Sequence, residues 1–218
     1  MAPGVKKSFL KLFKKNLKIA QKTMLKDSNI FDELIEYIRY DVYDKLPQYN
    51  NQESLNDFID EFITHNDDDL MSPKAVKKAL QFAYEQSIEE VEEETWQAME
   101  GFIHNTNTLQ SRAGSQVPFS SINLGCDTSE EGRLVTKCLL NALYAGLGRH
   151  ETSIFPIVVF SLKSGFNYNS QDKNYDLFQL ALKCSAKRLF PTYMNQDATY
   201  NAQYYQPGNI QTLCATMG

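Results

Sequence analysis

The sequence predicts an α/β chain, with an all-helical segment over residues 1–110 and an arc of mostly parallel sheet over 111–218. Two observations carry this. In the first segment apolar residues recur at three- and four-residue spacing, the mark of amphipathic helices. After Gly114 short β-branched runs alternate with helical stretches, the order of a strand–helix–strand series.

The elements follow in order. Residues 1–26 hold eight lysines and no acid, and Phe9, Phe13, Leu17, Ala20 and Met24 fall at helical spacing. They make one amphipathic helix with a solvated basic face. A second helix is expected from Ile30 to Lys45, with Phe31, Leu34, Ile35, Ile38 and Val42 inward and Pro47 closing it. Ser54 is expected to cap a third, short helix carrying Leu55, Phe58, Ile59 and Phe62. Asn66 to Asp69 reads as a loop.

Ser72-Pro73 is a helix start, a hydroxyl cap followed by Pro at the first helical position. The stripe Val76, Leu80, Ala83, Ser87, Val91, Thr95, Met99, Phe102 carries that helix to about Thr108, with five glutamates between 89 and 94 in its middle. Val117 to Leu124 reads as a strand. Asp127 or Thr128 is expected to cap the next helix, which Gly146 and Gly148 end. Ile154 to Leu162 is a strand buried on both faces, Tyr175 to Leu189 a helix, and Phe190 to Met194 a strand.

Composition excludes several classes. The chain is 42% hydrophobic and 22% charged over 218 residues, enough for a sizeable core. The net charge of −5 argues against bulk attraction to nucleic acid. No run approaches the ~18 apolar residues of a membrane span, and no signal peptide is legible. A cytoplasmic protein with neither membrane nor nucleic-acid partner is expected. Cys126, Cys138, Cys184 and Cys214 form no close pair, and His65, His104 and His150 are scattered, so no metal site is expected.

Four blocks are less generic. The first is Trp96-Gln97-Ala98-Met99, then His104-Asn105, Ser111-Arg112-Ala113-Gly114 and Val117-Pro118-Phe119-Ser120-Ser121-Ile122-Asn123. The second is Asp127-Thr128-Ser129-Glu130-Glu131-Gly132-Arg133. The third is Ile154-Phe155-Pro156-Ile157 with Asn167-Tyr168-Asn169. The fourth is Ser185-Ala186-Lys187-Arg188-Leu189-Phe190-Pro191, then Tyr204-Tyr205, Pro207-Gly208 and Ala215-Thr216-Met217-Gly218. In this order and with these gaps the chain resembles the middle of the anaerobic (class III) ribonucleoside-triphosphate reductases. Thr106, Leu109, Gln110, Ala198 and Thr199 depart from the family pattern.

The resemblance implies a fold and a chemistry. The fold is a ten-stranded α/β barrel with a finger loop inside, of which this chain holds the first part. The chemistry is reduction of ribonucleoside triphosphates to 2′-deoxyribonucleoside triphosphates by glycyl and thiyl radicals with formate. In the family the thiyl cysteine directly follows Met-Gly, so the chain is expected to be an internal fragment ending just before it, from a gene split by an intron, an intein or truncation. No catalytic residue then lies within the chain, and it is expected to be inactive alone. The full enzyme implies an activase that uses S-adenosylmethionine and an iron–sulfur cluster, a structural zinc, deoxynucleotide and ATP effectors, a homodimer, and the remaining part of the reductase. A non-catalytic nucleotide-binding or dimer-forming remnant is the alternative. The Ser-Arg-Ala-Gly block argues against other glycyl-radical enzymes.

Candidate residues follow. Ser111, Arg112, Ala113, Gly114, Ser115 and Gln116 alone read as an ordinary helix exit, with Arg112 on the surface. The resemblance implies a loop that relays effector identity to the substrate base. Ser120, Ser121 and Asn123 either line a substrate pocket or serve as structural polar groups, depending on which face of their strand turns inward. Met217 is implied to border the substrate. One or two of the first helix's lysines are implied to meet triphosphate.

Overall fold

In the computed structural model, residues 2–26, 29–66, 72–109, 119–204 and 206 are described. The chain divides into two compact units, Met1–Glu94 and Thr95–Gly218.

The first unit is helical. Helix α1 (Ala2–Met24) buries Phe9, Phe13, Leu17 and Ala20, while Met24 at its end is exposed. Phe9 and Phe13 stack with ring centroids 6.0 Å apart, and Tyr49 and Tyr84 meet Phe9 edge-on. Helix α4 (Pro73–Thr108) contributes Val76, Leu80, Ala83 and Val91 to the same unit's interior. Between the two helices Asn16 donates to the Ser87 hydroxyl at 3.0 Å with both side chains fully buried, and Lys15 pairs with Glu90 at 3.1 Å.

The expected second helix is broken. Helix α2 spans Asp32–Tyr37, and a separate 3-10 turn spans Tyr40–Lys45. Ile38 and Arg39 between them are extended. The break buries Tyr43 rather than Val42, and the Tyr43 hydroxyl accepts from the Tyr49 amide at 3.0 Å. Helix propensity loses here to a tertiary contact. Helix α3 (Gln52–His65) is capped by Asn51, whose side chain accepts from the Ser54 amide at 3.0 Å, so Ser54 sits inside the first turn.

The second unit is a three-stranded parallel sheet, among the described residues, with helices on one face. Strand β1 is Ser121–Leu124, β2 is Ile157–Leu162 and β3 is Thr192–Asn195, in the order β1-β2-β3. Ile122 aligns with Val158, and Phe160 with Tyr193. Helix α5 (Glu130–Ala145) begins at Ser129, whose hydroxyl accepts from the Gly132 amide at 3.1 Å. Asp127 instead accepts from Ser129 and so acts one step before the cap. Gly146 ends the helix with φ +82°, a conformation that favours glycine.

Helix α6 (Tyr175–Arg188) packs beside α5. Leu139, Leu143 and Cys184 close on Val158, and Leu140, Leu177 and Ala181 close on Phe160. Val158, Val159, Phe160 and Ser161 are all buried, so both faces of β2 are screened from solvent, with the helices covering the face of Val158 and Phe160. The end of α4 fixes where β2 begins. Asn107 accepts from the amides of Ile154 (2.8 Å) and Phe155 (3.1 Å) and donates to the Phe155 carbonyl, pairing with the chain as a neighbouring strand would. A short helix α7 (Thr199–Ala202) follows β3.

Candidate functional site

The first unit holds a cavity of about 950 Å³ where four helix ends meet. Leu25 and Lys26 at the end of α1, Asn29, Glu33 and Tyr37 on and before α2, Phe62 and His65 on α3, and Ser72 and Val76 at the start of α4 line it. The lining mixes apolar and aromatic side chains (Ile30, Leu34, Tyr37, Phe62) with Lys26, Glu33 and His65. Lys26 and the amino end of the α4 dipole supply positive charge to it. The volume falls in the range of small-molecule sites.

The second unit offers a different surface. Ile122 and Leu124 turn toward the helices, where they join the core. Ser121 and Asn123 therefore project from the opposite face, and strand register places Val159, Ser161, Thr192 and Met194 on that same face. The Ser120 hydroxyl, just before β1, is enclosed and has no hydrogen-bond partner among the described residues. Ser111, Arg112, Ala113, Gly114, Ser115, Gln116 and Met217 lie outside the described residues.

The carboxyl ends of the strands are tied together by amides. Asn167, fully buried, donates to the carbonyls of Gly125 (2.9 Å) and Ser161 (2.8 Å) and accepts from the Lys163 amide at 3.0 Å. Asn174 donates to the carbonyls of Gly125 (3.0 Å) and Asp127 (2.7 Å) and accepts from Arg133 at 2.7 Å. Burial pushes the Asp197 carboxyl up, but the Ser164 amide and the Lys163 ammonium outweigh it and hold it below the usual range.

Comparison with known proteins decides the identity of this scaffold. A sequence model of the anaerobic ribonucleoside-triphosphate reductases matches residues 50–218. The chain belongs to the anaerobic ribonucleoside-triphosphate reductase family. It is 36% identical over 142 residues to the reductase of that name from Haemophilus influenzae, covering 60% of this chain and 20% of that protein. It is 39% identical over 105 residues to the Escherichia coli reductase (48% and 15%) and 39% identical over 101 residues to that of Enterobacteria phage T4 (46% and 16%). The matched stretch thus spans a fifth or less of the length of these curated relatives.

Within this reductase segment, several residues of consequence carry no local signal in the sequence. Glu33, Tyr37 and His65 look like ordinary helix residues until four helix ends converge on them. Among the described residues no three His, Cys, Asp or Glu side chains converge as a metal site. No helix is long and apolar enough to cross a membrane among the described residues.

The buried cysteines give a first prediction. Burial pushes the thiols of Cys126 and Cys184 up to about 11, with Lys163 drawing the first down and Asp197 raising it, and Arg188 and Lys187 drawing the second down. Iodoacetamide at about pH 8 is expected to spare both in the folded chain and to label both in denaturant. Because the folded values are raised, stability from these thiols is full below the ordinary thiol value of 9.0 and falls as pH rises through about 11. Rapid labelling without denaturant would contradict this.

Proposed function

We propose that this chain is the effector-site and first-barrel segment of an anaerobic ribonucleoside-triphosphate reductase. The complete enzyme reduces ribonucleoside triphosphates to 2′-deoxyribonucleoside triphosphates by glycyl and thiyl radical chemistry, with formate as reductant. The family match over residues 50–218 carries the reading. The parallel order β1-β2-β3, with both outer strands open to further pairing among the described residues, suits an arc of the ten-stranded barrel. The face bearing Ser121 and Asn123 is then the barrel interior, and those side chains line the substrate compartment with Met217. The Ser111–Gln116 stretch is the loop that reports effector identity.

The chain's own ligand in this reading is the effector. The cavity carries elements of a nucleotide site: the Tyr37 and Phe62 rings for a base, and the Lys26 ammonium with the α4 dipole for phosphates. Radical chemistry requires groups aligned within contact distance, so the chain alone is catalytically silent. It works with the rest of the reductase, as a homodimer, after its activase has installed the radical.

Calorimetry of the 218-residue chain with dATP, dGTP and dTTP tests the reading. Saturable binding of at least one is expected, with Lys26→Glu weakening it about tenfold or more and Lys11→Glu, on the exposed face of α1, leaving it unchanged. Absence of binding by all three would remove the effector assignment. With formate and activase but no other reductase part, no deoxynucleotide is expected to form.

A further inference from the structure

Residues on both sides of the stretch 110–118 meet the same short segment, residues 154–157, where β2 begins. On the entry side, at the end of α4, the contact is polar. The Thr106 hydroxyl lies 3.1 Å from the Phe155 carbonyl oxygen. The Asn107 side chain accepts from the Ile154 and Phe155 amides and donates to the Phe155 carbonyl. It also donates to the Ile103 carbonyl of its own helix at 2.6 Å. Both acceptor sites and both hydrogens of the Asn107 amide then have partners, so one orientation of the side chain is selected.

On the exit side the contact is aromatic. The Phe119 ring meets the Phe155 ring at 66°, with centroids 5.2 Å apart. The next carbonyl, that of Ser120, accepts from the Ile157 amide at 2.9 Å. Phe119 keeps 62% of its surface exposed, so core burial gives little reason for a ring there. Yet it is the last side chain but one before β1, the strand that carries Ser121 and Asn123. Both flanks are thus fixed to one residue. They move apart only by breaking the Asn107 hydrogen bonds or the contact between the rings.

We propose that Asn107, Phe119 and Phe155 are positioning residues for substrate choice. They hold the two ends of the Ser111–Gln116 loop on a single base. An effector's influence on that loop then passes to the strand bearing Ser121 and Asn123 instead of dissipating in slack flanks. The three residues act through the loop and touch neither effector nor substrate. The inference rests on the role of that loop in the proposed function and adds the residues that make it a relay.

Competition between ribonucleoside triphosphates for the complete reductase that carries this chain tests it, with dATP, dGTP and dTTP present in turn. In the wild type at least one effector is expected to change the product ratio about fivefold or more. Phe119→Ala and Asn107→Ala are each expected to return that ratio to within about twofold of its effector-free value. Calorimetry without substrate is expected to show effector affinity within about twofold of the wild type, whereas substrate no longer tightens effector binding, as reciprocity demands. A side chain that served stability alone would leave both the ratio and this tightening unchanged. Phe119 is exposed, so its truncation keeps the test open even where Asn107→Ala unfolds, and circular dichroism verifies each variant. Folded variants that keep the wild-type response would overturn the anchor and leave the proposed function standing. Loss of effector binding itself would assign these residues to the effector site and overturn it too. A wild-type reductase whose product ratio ignores every effector would remove the role of the loop, and the anchor with it.

Discussion

Replacing Asn174 by Leu is expected to destabilise the second unit by about 3 kcal/mol, with a fall in melting temperature of roughly 10 °C. Asn174 is fully buried at the start of α6, and its amide spans two other segments. It donates to the carbonyls of Gly125 and Asp127, which lie between β1 and α5, and it accepts from Arg133 on α5. Leucine fills similar volume but satisfies none of these groups. The Asp127 carbonyl then loses its side-chain donor in a part-buried site, and among the described residues Arg133 keeps Asp176 and the Lys173 carbonyl. Leaving such groups unpaired costs more than the hydrogen bonds contributed. Gly125→Ala tests the same junction from its other side. Gly125 has φ +118°, and an added Cβ would stand 2.7 Å from the Ser161 carbonyl oxygen and 3.1 Å from the Asn167 amide nitrogen. Urea melts followed by circular dichroism measure both variants. A loss under about 1 kcal/mol for Asn174→Leu would mean that water replaces the amide at little cost.

The sequence made some of this architecture legible and hid the rest for identifiable reasons. The stripe from Val76 to Phe102 announced α4 because a long amphipathic helix repeats its signal, here over about seven turns. The strand–helix alternation after Ser120 was equally plain, since β2 is a β-branched run and α5 ends at a glycine. Caps were harder. At both α3 and α5 several side chains within a few residues compete for the same free amides, and only geometry selects Asn51 over Ser54 and Ser129 over Asp127. The break at Ile38–Arg39 had no local cause at all, because it serves the burial of Tyr43.

The site was hidden more deeply than the fold. Of the residues singled out from sequence, Ser121 and Asn123 were placed by simple alternation once Ile122 and Leu124 were known to face the core. The cavity beside Lys26 arises from helix ends far apart in the chain, so no window of sequence contains it. The Asn167-Tyr168-Asn169 block drew notice only through its family resemblance. Its physical reason is now visible, because Asn167 bridges the ends of β1 and β2 through carbonyls that a hydrophobic residue would leave bare.

Arg188→Met is expected to cost the second unit about 3 kcal/mol or more, the range for stripping the partner from several buried charge-assisted hydrogen bonds. Arg188 is only 7% exposed and has no carboxylate partner among the described residues. Its guanidinium donates to the carbonyls of Tyr144 (3.0 and 2.9 Å), Ala145 (2.7 Å) and His150 (2.6 Å). Those carbonyls are the end of α5 and the turn beyond it. A helix leaves its last carbonyls without internal partners and concentrates negative potential there. Gly146 turns the chain away with no side chain to shield them, and an added Cβ there would come within 2.7 Å of Arg188 itself. One arginine from the last turn of α6 thus supplies donors that α5 cannot provide for itself, and it ties the carboxyl ends of the two neighbouring helices together. Methionine keeps most of the packing volume and removes every donor, so the effect isolates hydrogen bonding and charge. Arg188→Lys retains the charge without the planar fork and is expected to fall between the two. Hydrogen exchange gives the sharper readout, since the amides in the last turn of α5 should lose protection in Arg188→Met before those of its first turn. Uniform loss along α5 would instead indicate that the arginine acts only through global stability and not as the anchor of that helix end.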